Sequence, residues 1–327
     1  MKMDITVLVA QFNPDIQKVI YTLNSIINQK DIEFEIVICD DGSTKDCFEN
    51  IEKYFTEKKF YNYRLVKLEE NRGTVINILN GVSNASGKYI KVISPGDFLY
   101  NNHILREIFD YVNKRAAKIA FGNVVPFSYK DKQILQYSNT KPYNIKVFDK
   151  QPYNLSKVQT SILLCWNGIV GAGIVYEKEY MYRLLHMLDG RVIYAEDFMT
   201  YIAAADNHNI YHMNKNVVWY EYGGGISTSK NRKWELLIDK DREKLYEILY
   251  KNYLDNKVVM KSKKLKEISG KGGLIKFFWL LLKCPSKYYY FIYEIIWSKR
   301  KHYVEAEYNY LTEIMGIDRK EVSIRKV

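Results

Sequence analysis

Apolar positions recur in short runs along the first hundred residues, and each run is followed by an amphipathic or polar stretch. "ITVLVA" (5–10) is apolar and partly β-branched, and residues Pro14–Asn28 behind it carry apolar side chains at helical spacing. "FEIVIC" (34–39) leads into "DDGSTKD" and a polar helical segment, and "YRLVKL" (63–68) leads into a helix over Gly73–Val82. "KYIKVI" (88–93) leads into Ser94-Pro95-Gly96-Asp97 and a helix over Ile104–Val112. Strand and helix alternating through short connections predict an α/β fold, with a mostly parallel sheet covered on both faces. In such sheets ligands bind beyond the carboxyl ends of the strands, and Asp40, Asp41 and Asp97 each follow such an end.

From Ala117 to Val175 the pattern is less regular, with short strands expected at "KIAFGNVV", "QILQYS" and "GIVGAGIVY" between aromatic-rich loops. "AEDFMTYIAAA" predicts a helix over Glu196–Ala205, with acids in the first turn where the helix dipole favours them. "VVWYEYGGGISTSKNRKW" then joins three glycines to Lys230, Arg232 and Lys233, a basic loop. The domain division expected is 1–227 for the α/β unit and 228–327 for a helical, basic and aromatic extension.

Composition sharpens this picture in one place. The formal charge is +11, and residues 257–327 hold 16 Lys and Arg against 7 Asp and Glu, so most of the excess is there. A local anionic partner follows, rather than a generally basic protein. "GGLIKFFWLLLKCPSKYYYFIYEIIWSKRKHY" is apolar and aromatic, with Lys276, Lys283 and Lys287 on one helical face and a break at Pro285. That suits helices lying in a membrane interface, with lysines at the headgroups and Trp279 and Trp297 at the boundary. "KSKKLK" and "SKRK" would add about 1 kcal/mol per basic residue near an anionic leaflet. The alternative is that these are core helices. A nucleic-acid arm is disfavoured because "FFWLLL" and "YYYFIYEIIW" are too apolar to serve as one. No stretch offers the ~18 uninterrupted apolar residues of a spanning helix, and the N-terminus reads as a first strand rather than a signal peptide. Cys39, Cys47, Cys165 and Cys284 show no zinc-ligand spacing, which indicates reduced thiols.

Four features carry candidate chemistry, and each has a plainer reading. The carboxylates of "CDDGST" accept hydrogen bonds from ribose hydroxyls or a base N–H, or else form an Asx turn. Asp97 holds a divalent cation on a diphosphate, or is a turn residue. Asp197 takes a proton from an attacking hydroxyl, or complements the helix dipole as Glu196 does. The "GGGISTSKNRK" loop closes over phosphates, or links two parts of the chain.

The order of these features is more specific than any one of them. "VLVAQFN", "FEIVICDDGSTKD", "NRGTVINILNGVSNASGKYIKVISPGDFL" and "AEDFMTY" resemble the family 2 glycosyltransferases of the GT-A fold, of the bacterial capsule and cell-surface polysaccharide type. The resemblance covers residues 1 to about 227. It implies a Rossmann-like mixed sheet and a UDP-sugar donor bound by Ala10, Asn13, Asp40, Asp41, Asn71, Arg72 and Gly73. It also implies Mg²⁺ or Mn²⁺ at Asp97 and Asp197 as the base of an inverting transfer to a glycan or lipid-linked acceptor. The family usually writes two or three aspartates where this chain has Ser94-Pro95-Gly96-Asp97, so metal dependence is expected to be weak. A cytoplasmic enzyme, peripheral at the inner membrane face, is the expectation; a catalytically silent binding or scaffold protein is the alternative. No Gly-x-Gly-x-x-Gly follows the first strand, which argues against a dinucleotide oxidoreductase.

Overall fold

The four apolar runs form β1 (Ile5–Gln11), β2 (Phe34–Asp40), β3 (Tyr63–Lys67) and β4 (Tyr89–Ile93). Between and after them lie α1 (Ile16–Ile27), α2 (Phe48–Glu57), α3 (Thr74–Ser83), the short β5 (Phe98–Leu99) and α4 (Ile104–Lys114). This computed structural model describes residues 3–45, 47–139, 141–223, 232–269 and 301–327, with scattered positions between 278 and 296. The middle of the chain contributes β6 (Ile119–Lys130), β7 (Gln133–Gln136), α5 (Lys146–Asp149), α6 (Leu155–Gln159), β8 (Ile174–Glu177), α7 (Lys178–Leu188), α8 (Met199–Ala205) and β9 (Ile210–Glu221). The last described elements are α9 (Arg232–Asn252), α10 (Lys257–Ser269), α11 (Asn309–Ile314) and β10 (Ser323–Lys326).

The strands form one sheet in the order β10-β7-β6-β8-β4-β1-β2-β3, with β9 along β6 and β5 along β9. Strands β3, β2, β1 and β4 are mutually parallel, whereas β8 runs antiparallel between β4 and β6. The fold is thus a mixed α/β sheet, mostly parallel and flanked by helices. Register sets the rim: Gln11 pairs with Asp40, Asp40 with Lys67, and Val9 with Ile93. The segments that leave β1, β2 and β4 therefore emerge on one edge of the sheet.

Period-two alternation sends β1 side chains to two separate cores. Leu8 joins the cluster with α3, α7 and α9, while Ile5, Val7 and Val9 join the one with α1, α2 and α4. Strand β6, expected to end at Val125, runs on through Pro126 to Lys130. Proline is tolerated there because that edge of β6 pairs with β8 only as far as Phe121 and with β7 only from Phe127. The helix expected from Glu196 begins as a 3₁₀ turn over Glu196–Phe198 and becomes α-helical at Met199.

The expected helical extension over 228–327 is helical in α9, α10 and α11, yet it does not stand apart from the sheet. Leu245, Ile248 and Leu249 of α9 and Val259 of α10 are buried in the same cluster as α3 and α7. Leu311 and Ile314 of α11 pack with Phe98, Phe127 and Trp219, and β10 pairs in parallel with β7. Most of the aromatic stretch at 270–300 lies outside the described residues, as does 224–231 of the glycine-rich loop. Among the described residues, no helix is long and apolar enough to cross a membrane.

Candidate functional site

Three loops meet at the ends of β1, β2 and β3, and hydrogen bonds through two aspartates tie them together. Asp40 Oδ1 accepts from the Ser43 amide at 2.6 Å, and Oδ2 accepts from Ser43 Oγ at 2.7 Å and Gln11 Nε2 at 3.0 Å. Its carboxylate is therefore engaged in an Asx turn, the plainer of the two sequence readings, and that turn gives the loop its shape. Asp41 reaches the other way and accepts from the amides of Arg72 at 2.8 Å and Gly73 at 2.9 Å. Burial pushes the Asp41 carboxyl up, and those two amides oppose the rise. Asn13 closes the third side: its amide donates to Ser43 Oγ at 2.7 Å, and its Oδ1 accepts from the Thr44 amide at 3.0 Å. Gly42 makes the junction possible. It has φ +70°, and a Cβ there would lie 2.4 Å from the carbonyl carbon of Glu70. Ala10, Asn13, Asp40, Asp41, Asn71, Arg72 and Gly73 are thus brought together, with Asn13, Asn71 and Arg72 exposed and the two aspartates buried.

The Ser94–Asp97 turn is fixed from beneath by α1. Thr22 Oγ1 accepts from the Gly96 amide at 3.0 Å and donates to the Asp97 carbonyl at 2.9 Å. The Asp97 side chain is buried, and its Oδ1 accepts from the Glu221 amide at 2.8 Å. Burial pushes its carboxyl up to about 7, against the opposing effects of that amide and of the Lys91 ammonium. Lys91 is fully buried in β4, donates to the carbonyl of Ala172, and is lowered to about 8 by burial. A carboxylate does stand over Gly96, although the motif lacks one there. Glu221 reaches across from the end of β9, so that a Cβ on Gly96 would lie 2.3 Å from Glu221 Oε2. Lys18 pairs with both oxygens of Glu221 at 2.7 Å. Asp97 and Glu221 thus bring carboxylate oxygens, the hard donors that Mg²⁺ and Mn²⁺ prefer, to one corner, where Lys18 already engages both oxygens of Glu221. Among the described residues, no three His, Cys, Asp or Glu side chains gather as metal ligands.

Glu196 and Asp197 are half-buried beside the turn Gly171–Gly173, and a Cβ on Gly171 would lie 3.1 Å from Glu196 Oε1 and 3.6 Å from Asp197 Cβ. Burial pushes Glu196 up to about 8 and Asp197 up to about 6, and the Asp197 charge adds to the rise at Glu196. The two carboxyls titrate as a pair that holds a proton near neutrality. The Tyr176 hydroxyl is buried and has no hydrogen-bond partner among the described residues, and both carboxylates act on it electrostatically.

Asp241 of α9 holds this segment in place, and the sequence reading missed it. Its buried carboxylate accepts from the amides of Ile193 at 3.0 Å, Tyr194 at 2.7 Å and Ala195 at 3.0 Å. The same loop reaches the three-loop junction, since the Ile193 carbonyl accepts from the Val75 amide at 3.0 Å and Ile193 packs against Gly73. One signal was present in the sequence. Asp241, Leu245 and Ile248 follow i, i+4, i+7 spacing, which puts an acid inside an apolar stripe. Lys91 inside the apolar run "YIKVI" is a second signal of this kind, whereas nothing in the local pattern marks Glu221.

A family model described as Glycosyl transferase family 2 matches residues 6–170. Glycosyltransferase GlyA of Streptococcus pneumoniae serotype 4 is 24% identical over 290 residues, covering 82% of this chain and 38% of its own length. An uncharacterized glycosyltransferase of Rickettsia bellii is 28% identical over 100 residues, 31% of this chain and 14% of its own. The chain thus spans less than half the length of these curated relatives. Among solved structures, mannosyltransferase PcManGT from Pyrobaculum calidifontis, in complex with GDP-Man and Mn²⁺, superposes with a TM-score of 0.51 at 13% identity. That match covers 92% of this chain and 89% of PcManGT. S. aureus TarS 1-349 in complex with UDP-GlcNAc gives a TM-score of 0.50 at 17% identity, over 76% and 72% of the two chains. At these identities the structural matches establish a shared fold.

Replacing Asp241 by Ala leaves three amides without their acceptor, at roughly 1–3 kcal/mol for each one that stays buried. The expected result is a loss of at least ~3 kcal/mol in urea denaturation, with faster hydrogen exchange at residues 193–195. Asp241→Asn keeps one acceptor oxygen and should fall between wild type and Asp241→Ala. Unchanged protection of these amides in Asp241→Ala would contradict the positioning role.

Proposed function

The chain belongs to glycosyl transferase family 2, and from that premise we propose that it moves a sugar from a nucleotide-diphosphate donor to an acceptor hydroxyl with inversion. The observation that carries this reading is the half-buried Glu196–Asp197 pair beside the Gly171–Gly173 turn, which burial raises toward neutrality as a unit, leaving one carboxylate ionised to accept a proton. Asp197 takes the proton from the acceptor hydroxyl as its oxygen bonds to the anomeric carbon. The bond from that carbon to the diphosphate oxygen breaks on the opposite face, and its electron pair leaves with the nucleotide. Asp41 and Asn13 hold the loops that receive the base and ribose, and Asp40 shapes the turn between them. Asp97, with Glu221 beside it, would hold Mg²⁺ or Mn²⁺, which supplies charge neutralisation at the departing diphosphate.

UDP is the carrier proposed, in keeping with the TarS complex with UDP-GlcNAc; the PcManGT complex with GDP-Man makes GDP the competitor to test. The acceptor proposed is a glycan or lipid-linked sugar in cell-surface polysaccharide synthesis, reached from the inner face of the membrane. A second reading, a silent nucleotide-sugar-binding scaffold, draws on the departures at Ser94 and Gly96 and on the engagement of Asp40 and Asp97 in hydrogen bonds.

Thermal unfolding with UDP, GDP, dTDP and CMP, each with and without Mn²⁺, tests donor binding. One diphosphate at ~100 times its dissociation constant should stabilise the fold by about 2.7 kcal/mol. Mn²⁺ should enlarge that shift in wild type and not in Asp97→Asn. If no nucleotide shifts the melt, the donor reading fails.

Docking to an anionic membrane face is motivated by Lys276, Lys283 and Lys287 within the aromatic stretch. Deleting 270–327 would be an unsuitable test, because Leu311 and Ile314 are part of the core. Changing the three lysines to Glu should weaken co-flotation with phosphatidylserine vesicles at low salt, the flanking "KSKKLK" and "SKRK" clusters supplying what remains. Undiminished flotation of that variant would refute the docking role.

A further inference from the structure

Strand β4 carries a cation where its pattern calls for an apolar residue. Lys91 stands in the run "YIKVI" with no exposed surface, on the sheet face it shares with Tyr89 and Ile93. An ammonium taken out of water is costly, and an apolar side chain of similar shape serves a core at least as well. Burial pushes Lys91 down to about 8, so it still holds its proton at neutral pH. Packing alone does not account for such a charge, but its contacts do. Nζ donates to the carbonyl of Ala172, 81 positions along the chain, and to that of Val92 at 3.1 Å. Asp97 acts on it electrostatically.

Ala172 lies in the Gly171–Gly173 turn, which leads into β8. The register of β8 against β4 runs from Glu177–Tyr89 to Val175–Lys91 and stops there. Against β6 it ends at Ile174–Phe121, so the ladders stop short of the turn on both sides. The turn is closed locally by the Gly173 amide, which donates to the Val170 carbonyl at 2.9 Å. Lys91 adds a side-chain bond from β4 at the point where backbone pairing ends. The neighbouring Gly171 meets the carboxyl pair, since a Cβ there would lie 3.1 Å from Glu196 Oε1 and 3.6 Å from Asp197 Cβ. Asp241 thus fixes the segment before the pair, and the turn packs against the pair itself. We propose that Lys91 is a positioning residue for the transfer: its ammonium fastens the turn to β4, and the turn keeps Glu196 and Asp197 in place. The proposal rests on the glycosyl-transfer reading for what the pair does; the link from Lys91 through Ala172 to the pair stands on the contacts themselves.

The test is amide hydrogen exchange and steady-state kinetics on the full chain in wild type, Lys91→Met and Gly171→Ala. Lys91→Met keeps the apolar stem and removes the ammonium. Exchange at Gly173 and Phe198, whose amides bond to Val170 and Ala195, should then be about ten-fold faster or more. The Arg72 and Gly73 amides, held by Asp41, should keep their wild-type exchange. With the donor that wild type uses, kcat should fall about ten-fold or more while donor KM stays within about two-fold, a split that general loosening of the fold would not give. Gly171→Ala presses a methyl group on Glu196 with Lys91 intact, and should lower kcat with the same split. It carries the test should Lys91→Met not fold. Unchanged exchange at Gly173 and Phe198 in a folded Lys91→Met, wild-type kcat in every variant that folds, or an equal loss of donor binding overturns the proposal. Faster exchange at those two amides, in a protein whose wild type turns over no donor, would leave the Lys91 link standing and count against the transferase reading.

Discussion

A single buried carboxylate from a late helix decides where Glu196 and Asp197 can stand. Asp241 accepts from three consecutive amides, at Ile193, Tyr194 and Ala195, immediately before Glu196 and Asp197. A carboxylate removed from water is stable only when such donors replace its hydration, so burial makes the contact obligatory rather than incidental. The loop so fixed also touches Gly73, and thereby links the three-loop junction to the carboxylate pair. Asp241 belongs to the part of the chain expected as an extension. The site is therefore complete only with α9 in place.

The turn at Gly171–Gly173 supplies a second constraint. Gly171 lies against Glu196, the Ala172 carbonyl receives Lys91, and a Cβ on Gly173 would lie 2.8 Å from the Gly122 carbonyl on β6. Through Lys91 the turn is electrostatically coupled to Asp97, so the Asp97–Glu221 corner, the carboxylate pair and β6 share one short piece of backbone. Low dielectric then does the same thing at each corner. It raises Asp97, Glu196 and Asp197 out of the ordinary carboxylate range and brings their proton equilibria close to neutrality.

The sequence was most legible where structure is local. β1 to β4 came directly from six-residue apolar runs, and an Asx turn was one of the two readings that "CDDGST" allowed. It was least legible where a partner lies far along the chain. Glu221 meets Asp97 across 124 positions, and no local pattern marks it. β10, with the unremarkable sequence "SIRK", joins the sheet only because β7 offers it an edge. Asp40 shows a subtler limit. The sequence allowed both a ligand contact and an Asx turn, and only coordinates reveal that both of its oxygens already have partners within the protein.

The central claim is that Asp197 removes the acceptor proton, and the pH dependence of turnover tests it most directly. Product formation from UDP-sugars and GDP-sugars, with sugar acceptors, would be followed from pH 5 to 9 in wild type and Asp197→Asn. A base works only when ionised, so the wild-type rate should rise with pH as the Glu196–Asp197 pair, raised by burial above the ordinary carboxylate range, loses its first proton. Asp197→Asn should be slower by roughly 10²–10⁴-fold and should lack that rise. An Asp197→Asn variant that turns over at the wild-type rate, with the same pH profile, would contradict the account.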